Sequence, residues 1–213
     1  MKFSLDNFPV RRLALSLVSV SLLGGALTAC VPLVLAGAAG GGALVATDRR
    51  TSGTQLEDEG IELRASSRLR GEVGERSHVN LTSYSRQVLL TGEAANAADR
   101  QLIEQIVSRV ENVNSIVNDI AVMGNSSLTQ RSSDTLITGR VKAMLIDASD
   151  LQANSIKVVT ERGTTYLMGR LTQREADRAT AVVRGTPGVQ KVVRILEIIT
   201  PEELVRIQPT PLK

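Results

Sequence analysis

The chain has 213 residues, 25 Lys and Arg against 22 Asp and Glu, one cysteine, one histidine, two tyrosines, two phenylalanines and no tryptophan. The first 29 residues hold Lys2, Arg11 and Arg12 against Asp6, so without them the formal charge falls from +3 to +1, and Phe3 and Phe8 go with them. What is left has neither the basic field that nucleic-acid binding needs nor the aromatic platforms that stack bases or sugars, which excludes nucleic acid as a partner.

Residues 1–29 have the order of an export signal: Lys2, Arg11 and Arg12, then an apolar run from Leu13 to Leu23, then Gly24, Gly25 and Ala26. The run is short of the roughly 20 residues of a membrane span and ends without basic stop-transfer residues. Leu27-Thr28-Ala29-Cys30 resembles the lipobox of bacterial lipoprotein precursors. The resemblance implies cleavage before Cys30 and its acylation by S-linked diacylglycerol and an N-linked chain, with no other cofactor expected. Acylation also removes the hazard of a lone exported thiol. One acyl chain holds a protein to a bilayer only marginally, at about 0.8 kcal/mol per buried methylene, whereas three hold it lastingly. Val31 in place of an aspartate after the cysteine implies delivery to the outer membrane, facing the periplasm.

Residues 30–56 read as the acylated cysteine and a linker, nearly all Ala, Gly, Val and Leu to Thr47 and polar from Asp48 to Gln55. The apolar half is compatible with a free tether, with contact to the bilayer surface and with docking on the folded part. Beyond it the sequence repeats at a spacing of 76 or 77 residues. Asp58, Ile61, Ala65 and Leu69 match Asp134, Ile137, Val141 and Leu145, the stripe of a helix that starts beside an aspartate. Val79, Leu81 and Ser83 alternate, as do Ile156, Val158 and Thr160. Turns at Ser85-Arg86 and Arg162-Gly163 lead to second strands ending at Gly92 and Gly169. A second helix carries Leu102, Ile106 and Val110, or Ala179 and Val183, and a last strand covers Val113 to Val122 or Val189 to Ile199.

The class is therefore α+β, with two tandem α-β-β-α-β units at residues 57–124 and 130–199 and a tail at 200–213 that is expected to be extended or mobile. Each unit should have a hairpin, a crossover helix and a parallel third strand, giving a three-stranded mixed sheet with two helices on one face. The opposite face of the second sheet holds Val193, Ile195 and Ile199, away from Val192, Leu196 and Ile198; Val117, Asp119 and Ala121 hold the matching places in the first. That face must be covered, by the other repeat or by a second copy.

Catalytic candidates are few. His78 is read as a solvated loop residue just before a strand, Cys30 is consumed by lipid, and no His/Cys metal set or Ser-His-Asp arrangement is in view. The carboxylates are scattered, as on ordinary solvated helix faces, and Gly37 to Gly42 lacks the strand, helix and lysine of a phosphate loop. No enzyme activity and no metal site are expected.

One helix face departs from the ordinary pattern. The first helix of the second unit sets Ile137, Val141, Met144 and Leu145 inward and Leu136, Gly139, Ala143 and Ile146 nearly opposite, edged by Arg140 on one side and by Lys142 and Arg131 on the other. The matching positions of the first unit, Gly60, Leu63, Ser67 and Arg70, make a conventional wet face. An apolar strip between cations suits the boundary of anionic headgroups and acyl chains, where each nearby cation adds about 1 kcal/mol and a tether raises the local concentration. The same strip is also compatible with packing on the first unit, with a protein partner or with no role.

Together these stretches resemble the dual-BON-domain outer-membrane lipoproteins, the family of division- and stress-associated lipid-binding proteins. The likeness is carried by Ala46 to Gln55, Val88 to Gly92, Asp134 to Thr138 with Val141-Lys142, Val158 to Glu161, Tyr166 to Gly169, and Thr172, Arg174, Glu175 and Ala176, in that order. The resemblance implies a BON fold for each unit and a lipid-anchored periplasmic protein that binds anionic phospholipid through its second unit and helps keep the outer membrane intact at division sites. It places Leu136 and Ile146 on the membrane-contacting helix. Relatives can carry a larger aromatic anchor at the position of Leu136, so leucine implies weaker insertion here. The competing reading is an adaptor that engages envelope-assembly or cell-wall-remodelling proteins through the same strip or the sheet back.

Overall fold

The computed structural model describes residues 48–207. The expectations for the signal, for Cys30 and for residues 31–47 fall outside that range.

The two long helices start earlier than the apolar stripe suggests. Helix α1 spans Ser52–Glu72 and is capped by Thr51, whose hydroxyl accepts from the Thr54 amide at 3.1 Å. The cap satisfies one of the amides that a helix start leaves without a partner. Residues 52–56, read as linker, are thus its first turn, and Asp58 lies in the second turn rather than beside the start.

Asp58 is buried because its carboxylate has another task. It accepts from the backbone amides of Ser85 and Arg86, each at 2.7 Å, from the Ser83 hydroxyl at 2.7 Å and from Arg50 at 2.8 Å. Ser85 and Arg86 both lie in the left-handed region, with φ of 50° and 66°, as a tight two-residue hairpin turn requires. Neither residue has glycine's freedom there, so the four donors converging on one carboxylate secure a turn that the local sequence disfavours.

That turn joins β1 (His78–Tyr84) antiparallel to β2 (Gln87–Ala94). Helix α2 (Ala97–Ser108) crosses over, and β3 (Ser115–Asn118) and β4 (Ala121–Val122) both run parallel to β2, on either side of a two-residue break. The second unit repeats the plan with α3 (Leu128–Asp147), β5 (Ile156–Glu161), β6 (Thr164–Leu171), α4 (Gln173–Arg184) and β7 (Lys191–Ile198), in sheet order β5-β6-β7. Strands β2 and β6 run two residues past Gly92 and Gly169, where the sequence had suggested their ends. A Cβ at Gly169 would meet the Ser155 carbonyl at 2.6 Å, so the neighbouring chain passes too close for a side chain.

Each unit has its own core between sheet and helices. Ile61, Ala65 and Leu69 of α1 meet Val88 and Leu90 of β2 and Ile103 and Val107 of α2. Ile137, Val141 and Leu145 of α3 meet Val158, Leu167, Ala176 and Val183. Met144 and Ile198, both assigned inward by periodicity, are exposed.

Alternate residues of the same strands point the other way, and the two sheet backs close on each other. Tyr84 and Leu89 of the first unit form one cluster with Tyr166, Met168 and Ile195 of the second, with Val117, Val159 and Val193 around them. The apolar sheet back is therefore covered by the other repeat and not left for a second copy. Several polar pairs cross the contact: the Tyr166 hydroxyl donates to Asp119 at 2.7 Å, and Lys157 donates to Glu62 at 2.8 Å and to the Ser83 carbonyl at 3.1 Å.

Two arginines ahead of α1 reinforce the arrangement. Arg49 is buried, donating to both carboxylate oxygens of Glu175 at 2.7 and 2.9 Å and to the Arg170 carbonyl at 2.7 Å. Arg50 pairs with Asp48 and Asp58 and lies 4.3 Å from the centre of the Tyr84 ring. At the other end, Thr200 caps a further helix, α5 (Pro201–Ile207), which Arg170 holds through Glu203 at 2.8 Å. The expected extended tail is thus helical over its first half.

Removing the Asp58 carboxylate leaves Arg50 and two turn amides without their partner. Asp58→Ala should cost about 3–5 kcal/mol, a drop of roughly 10 °C in the midpoint of thermal unfolding followed by circular dichroism. Burial alone raises the pKa of Glu175, but the hydrogen bonds from Arg49 and Thr172 outweigh it and bring it down to about 2. A depressed carboxylate contributes stability above its ordinary pKa and loses it as pH falls. Between pH 4.5 and pH 2 the wild type should therefore lose stability more steeply than Glu175→Gln, measured by urea unfolding across that range.

Candidate functional site

Ser127 caps α3 by accepting from the Gln130 amide at 3.2 Å, and about two turns later Asp134 fixes the helix about its own axis. The Asp134 carboxylate accepts from the amides of Arg162 and Gly163, each at 2.9 Å, in the β5–β6 turn. With Asp134, Ile137, Val141 and Leu145 all buried, the opposite side of the helix has to face outward. On it Leu136 is 62 % exposed and Ile146 66 %, and Gly139 and Ala143 between them are exposed.

The strip is longer than periodicity over the core residues suggested. Leu128, in the first turn and 78 % exposed, lies on the same face two turns before Leu136. Leu128 to Ile146 spans about 27 Å at 1.5 Å per residue. Leu128 escaped the sequence reading because the helix start was set beside Asp134. The Ser127 hydroxyl cap was the signal that would have found it.

The flanking cations differ in kind. Arg140 and Lys142 are exposed and, among the described residues, make no ion pair. Arg131 is half-buried and donates to the Ser126 hydroxyl at 3.1 Å, so it belongs to the seam between the repeats rather than to the edge of the strip. Next to Ile146 a cleft of about 340 Å³ opens, with Arg50, Lys142 and Lys157 around its rim and Tyr84, Leu145 and Ile156 in its walls. Lys157 and Arg50 are held there by Glu62, Asp48 and Asp58, which leaves Lys142 as the cation free to meet an anion.

The corresponding helix of the first unit is less wet than its sequence suggested. Leu56 and Leu63, one above the other on α1, are both exposed, but Arg70 and Ser67 interrupt the face beyond them.

Several acidic and basic groups expected on the solvated surface are instead inside. His78 is in β1, half-buried, with Nδ1 at 3.2 Å from Glu93 Oε2. Glu93 is fully buried; burial pushes its pKa up, but hydrogen bonds from Ser126 and Arg162 outweigh this and lower it. Glu161 is also buried, and its pKa is raised by that burial and by the neighbouring charge of Glu93. His78, Glu93 and Glu161 offer ligand atoms within 4.8 Å of one another. Sequence spacing could not join them, because Glu161 comes from the other repeat.

No helix among the described residues is long and apolar enough to cross a membrane. The family model of the BON domain matches residues 57–124 and again 133–200, the two structural units. The outer membrane lipoprotein DolP of Haemophilus influenzae is 32 % identical over 196 residues, covering 90 % of this chain and 97 % of its own. A 21 kDa hemolysin of Actinobacillus pleuropneumoniae is 32 % identical over 154 residues, 71 % of this chain and 79 % of its own. Among solved structures, the C-terminal domain of CdsD, a structural protein of the type III secretion system of Chlamydia trachomatis, aligns over 65 % of this chain and 96 % of its own at 11 % identity, with a TM-score of 0.28. Two matched BON domains in tandem and a full-length relative at this identity make the chain a member of the dual-BON-domain lipoprotein family.

Proposed function

We propose that this protein is anchored to the outer membrane by the acylated Cys30, faces the periplasm, and binds anionic phospholipid with helix α3, helping to keep the envelope intact at sites of division. The observation that carries the reading is the outward face of α3: Leu128, Leu136, Gly139, Ala143 and Ile146 in line, with Arg140 and Lys142 unpaired beside them. Supporting it, the relative from Haemophilus influenzae is named an outer membrane lipoprotein and aligns along nearly its whole length. We read the molecule as a binding protein rather than an enzyme, a reading supported by its two BON domains and its lipoprotein relative.

The energetics suit a tethered protein. Inserting Leu136 and Ile146 and their small neighbours gives a few kcal/mol at about 25 cal/mol per Å², and each unpaired cation adds about 1 kcal/mol near an anionic leaflet. Free in solution that is weak binding. On a lipid tether, with a local concentration on the order of millimolar, the patch is occupied and sets orientation. The small residues Gly139 and Ala143 let the helix axis settle close to the headgroups between the two larger anchors.

A fragment of residues 48–213, lacking the acyl chains, should bind vesicles containing anionic phosphatidylglycerol more strongly than neutral ones in a flotation assay. Leu136→Asp combined with Ile146→Asp should lower that binding at least tenfold with unchanged circular dichroism, and equal binding by both proteins would remove the assignment. Arg140→Glu with Lys142→Glu should abolish the preference for anionic vesicles while leaving the residual binding to neutral ones. Indifference of both pairs to lipid, together with a specific protein crosslinked at position 136, would favour the adaptor instead.

A further inference from the structure

At one end of the seam between the repeats, two buried carboxylates face a histidine, and one of them, Glu93, is paired with Arg162. Glu93 and His78 are directly opposite each other in the β1–β2 ladder, and Glu161 reaches them from the last position of β5. Glu93 is 0 % exposed and Glu161 3 %. Arg162 serves Glu93, donating at 2.7 Å to Oε1, and the amide and hydroxyl of Ser126 donate to Oε2 at 3.1 Å. Glu161 has no such cation. Its Oε2 accepts from Asn80 at 2.7 Å, and among the described residues its other oxygen receives no hydrogen bond and the group forms no ion pair. An ionised carboxylate buried this way is costly unless a positive group comes to it. The cluster borders a cavity of about 320 Å³ lined by His78, Asn80, Arg131, Asp134, Thr138 and Glu161, with room for water beside the ligand atoms.

We propose that His78, Glu93 and Glu161 form a binding site for a divalent transition-metal ion of the zinc type, shared between the two repeats. The chemistry of the donor set favours this class. One imidazole nitrogen and two carboxylate oxygens suit zinc, which takes such ligands at about 2.0–2.2 Å in a four-coordinate shell, whereas magnesium and calcium prefer all-oxygen surroundings. The ligand atoms lie within 4.8 Å of one another, with His78 Nδ1 3.2 Å from Glu93 Oε2. The cavity supplies water for the fourth position. The ion adds the missing positive charge at Glu161, and Arg162 and Ser126 keep Glu93 oriented as partners of a metal ligand do. Since His78 and Glu93 come from the first repeat and Glu161 from the second, the bound ion cross-links the two.

The test uses the full acylated chain in detergent micelles, stripped of metal with a chelator and then titrated with zinc chloride or magnesium chloride. Isothermal calorimetry should show one zinc bound per chain and no saturable magnesium binding, and the midpoint of thermal unfolding should rise with zinc. His78→Gln and Glu161→Gln should each weaken zinc binding at least tenfold and cancel the thermal shift. Both variants leave the Arg162 and Ser126 contacts of Glu93 in place, and circular dichroism in the absence of metal checks that they fold. Absence of saturable zinc binding below about 100 μM, or equal binding by wild type and both variants, would overturn the site.

Discussion

A buried aspartate reaching from a helix to the amides of a hairpin turn is the interaction on which the rest of this molecule depends. Asp58 and Asp134 do the same work in the two repeats, each holding two turn amides with φ in the left-handed region. The carboxylate fixes two things at once. It secures a tight hairpin that non-glycine residues would otherwise strain, and it fixes how the helix is rotated above its sheet. Once Asp134 is locked onto the β5–β6 turn, every residue of α3 has an assigned direction, and the oily outer face cannot turn inward to escape water.

The two repeats show how one fold serves different ends. Small α-β-β-α-β units of this size are marginal alone, and here each covers the other's sheet back through Tyr84, Leu89, Tyr166, Met168 and Ile195. That contact uses one face of each sheet, and the first helix of each unit covers the opposite one. The outer surfaces of those helices are then free to diverge without disturbing either core. In the first repeat Ser67 and Arg70 break the apolar face of α1, whereas in the second Gly139 and Ala143 continue it between two larger anchors.

Much of this was legible in the sequence because two periodicities repeated. The stripe Asp-Ile-Ala/Val-Leu gave the inner face of each long helix, and alternation in the hairpins gave the strands and both their faces. The outer strip on α3 followed from the same helical arithmetic, as the exposure of Leu136 and Ile146 bears out. What escaped was long-range. Arg49 looks like linker until Glu175, far away in the chain, closes around it. His78 reads as a loop residue until the β1–β2 register and the second repeat bring Glu93 and Glu161 to it. Thr51 and Ser127 were readable as caps, but the buried aspartates drew the helix starts too far downstream. Met144 lies at the edge of its helix face and Ile198 is the last residue of β7, and both are exposed.

The pair of arginines ahead of α1 has a mechanical consequence. Arg49 is fastened to the second repeat and Arg50 to the first, on adjacent residues. Tension arriving along the chain from upstream is therefore divided between the two modules at a single point, before it can peel α1 from its sheet. The guanidinium–carboxylate pairs act as a strain relief, sharing load between the two repeats at the point where the chain enters α1.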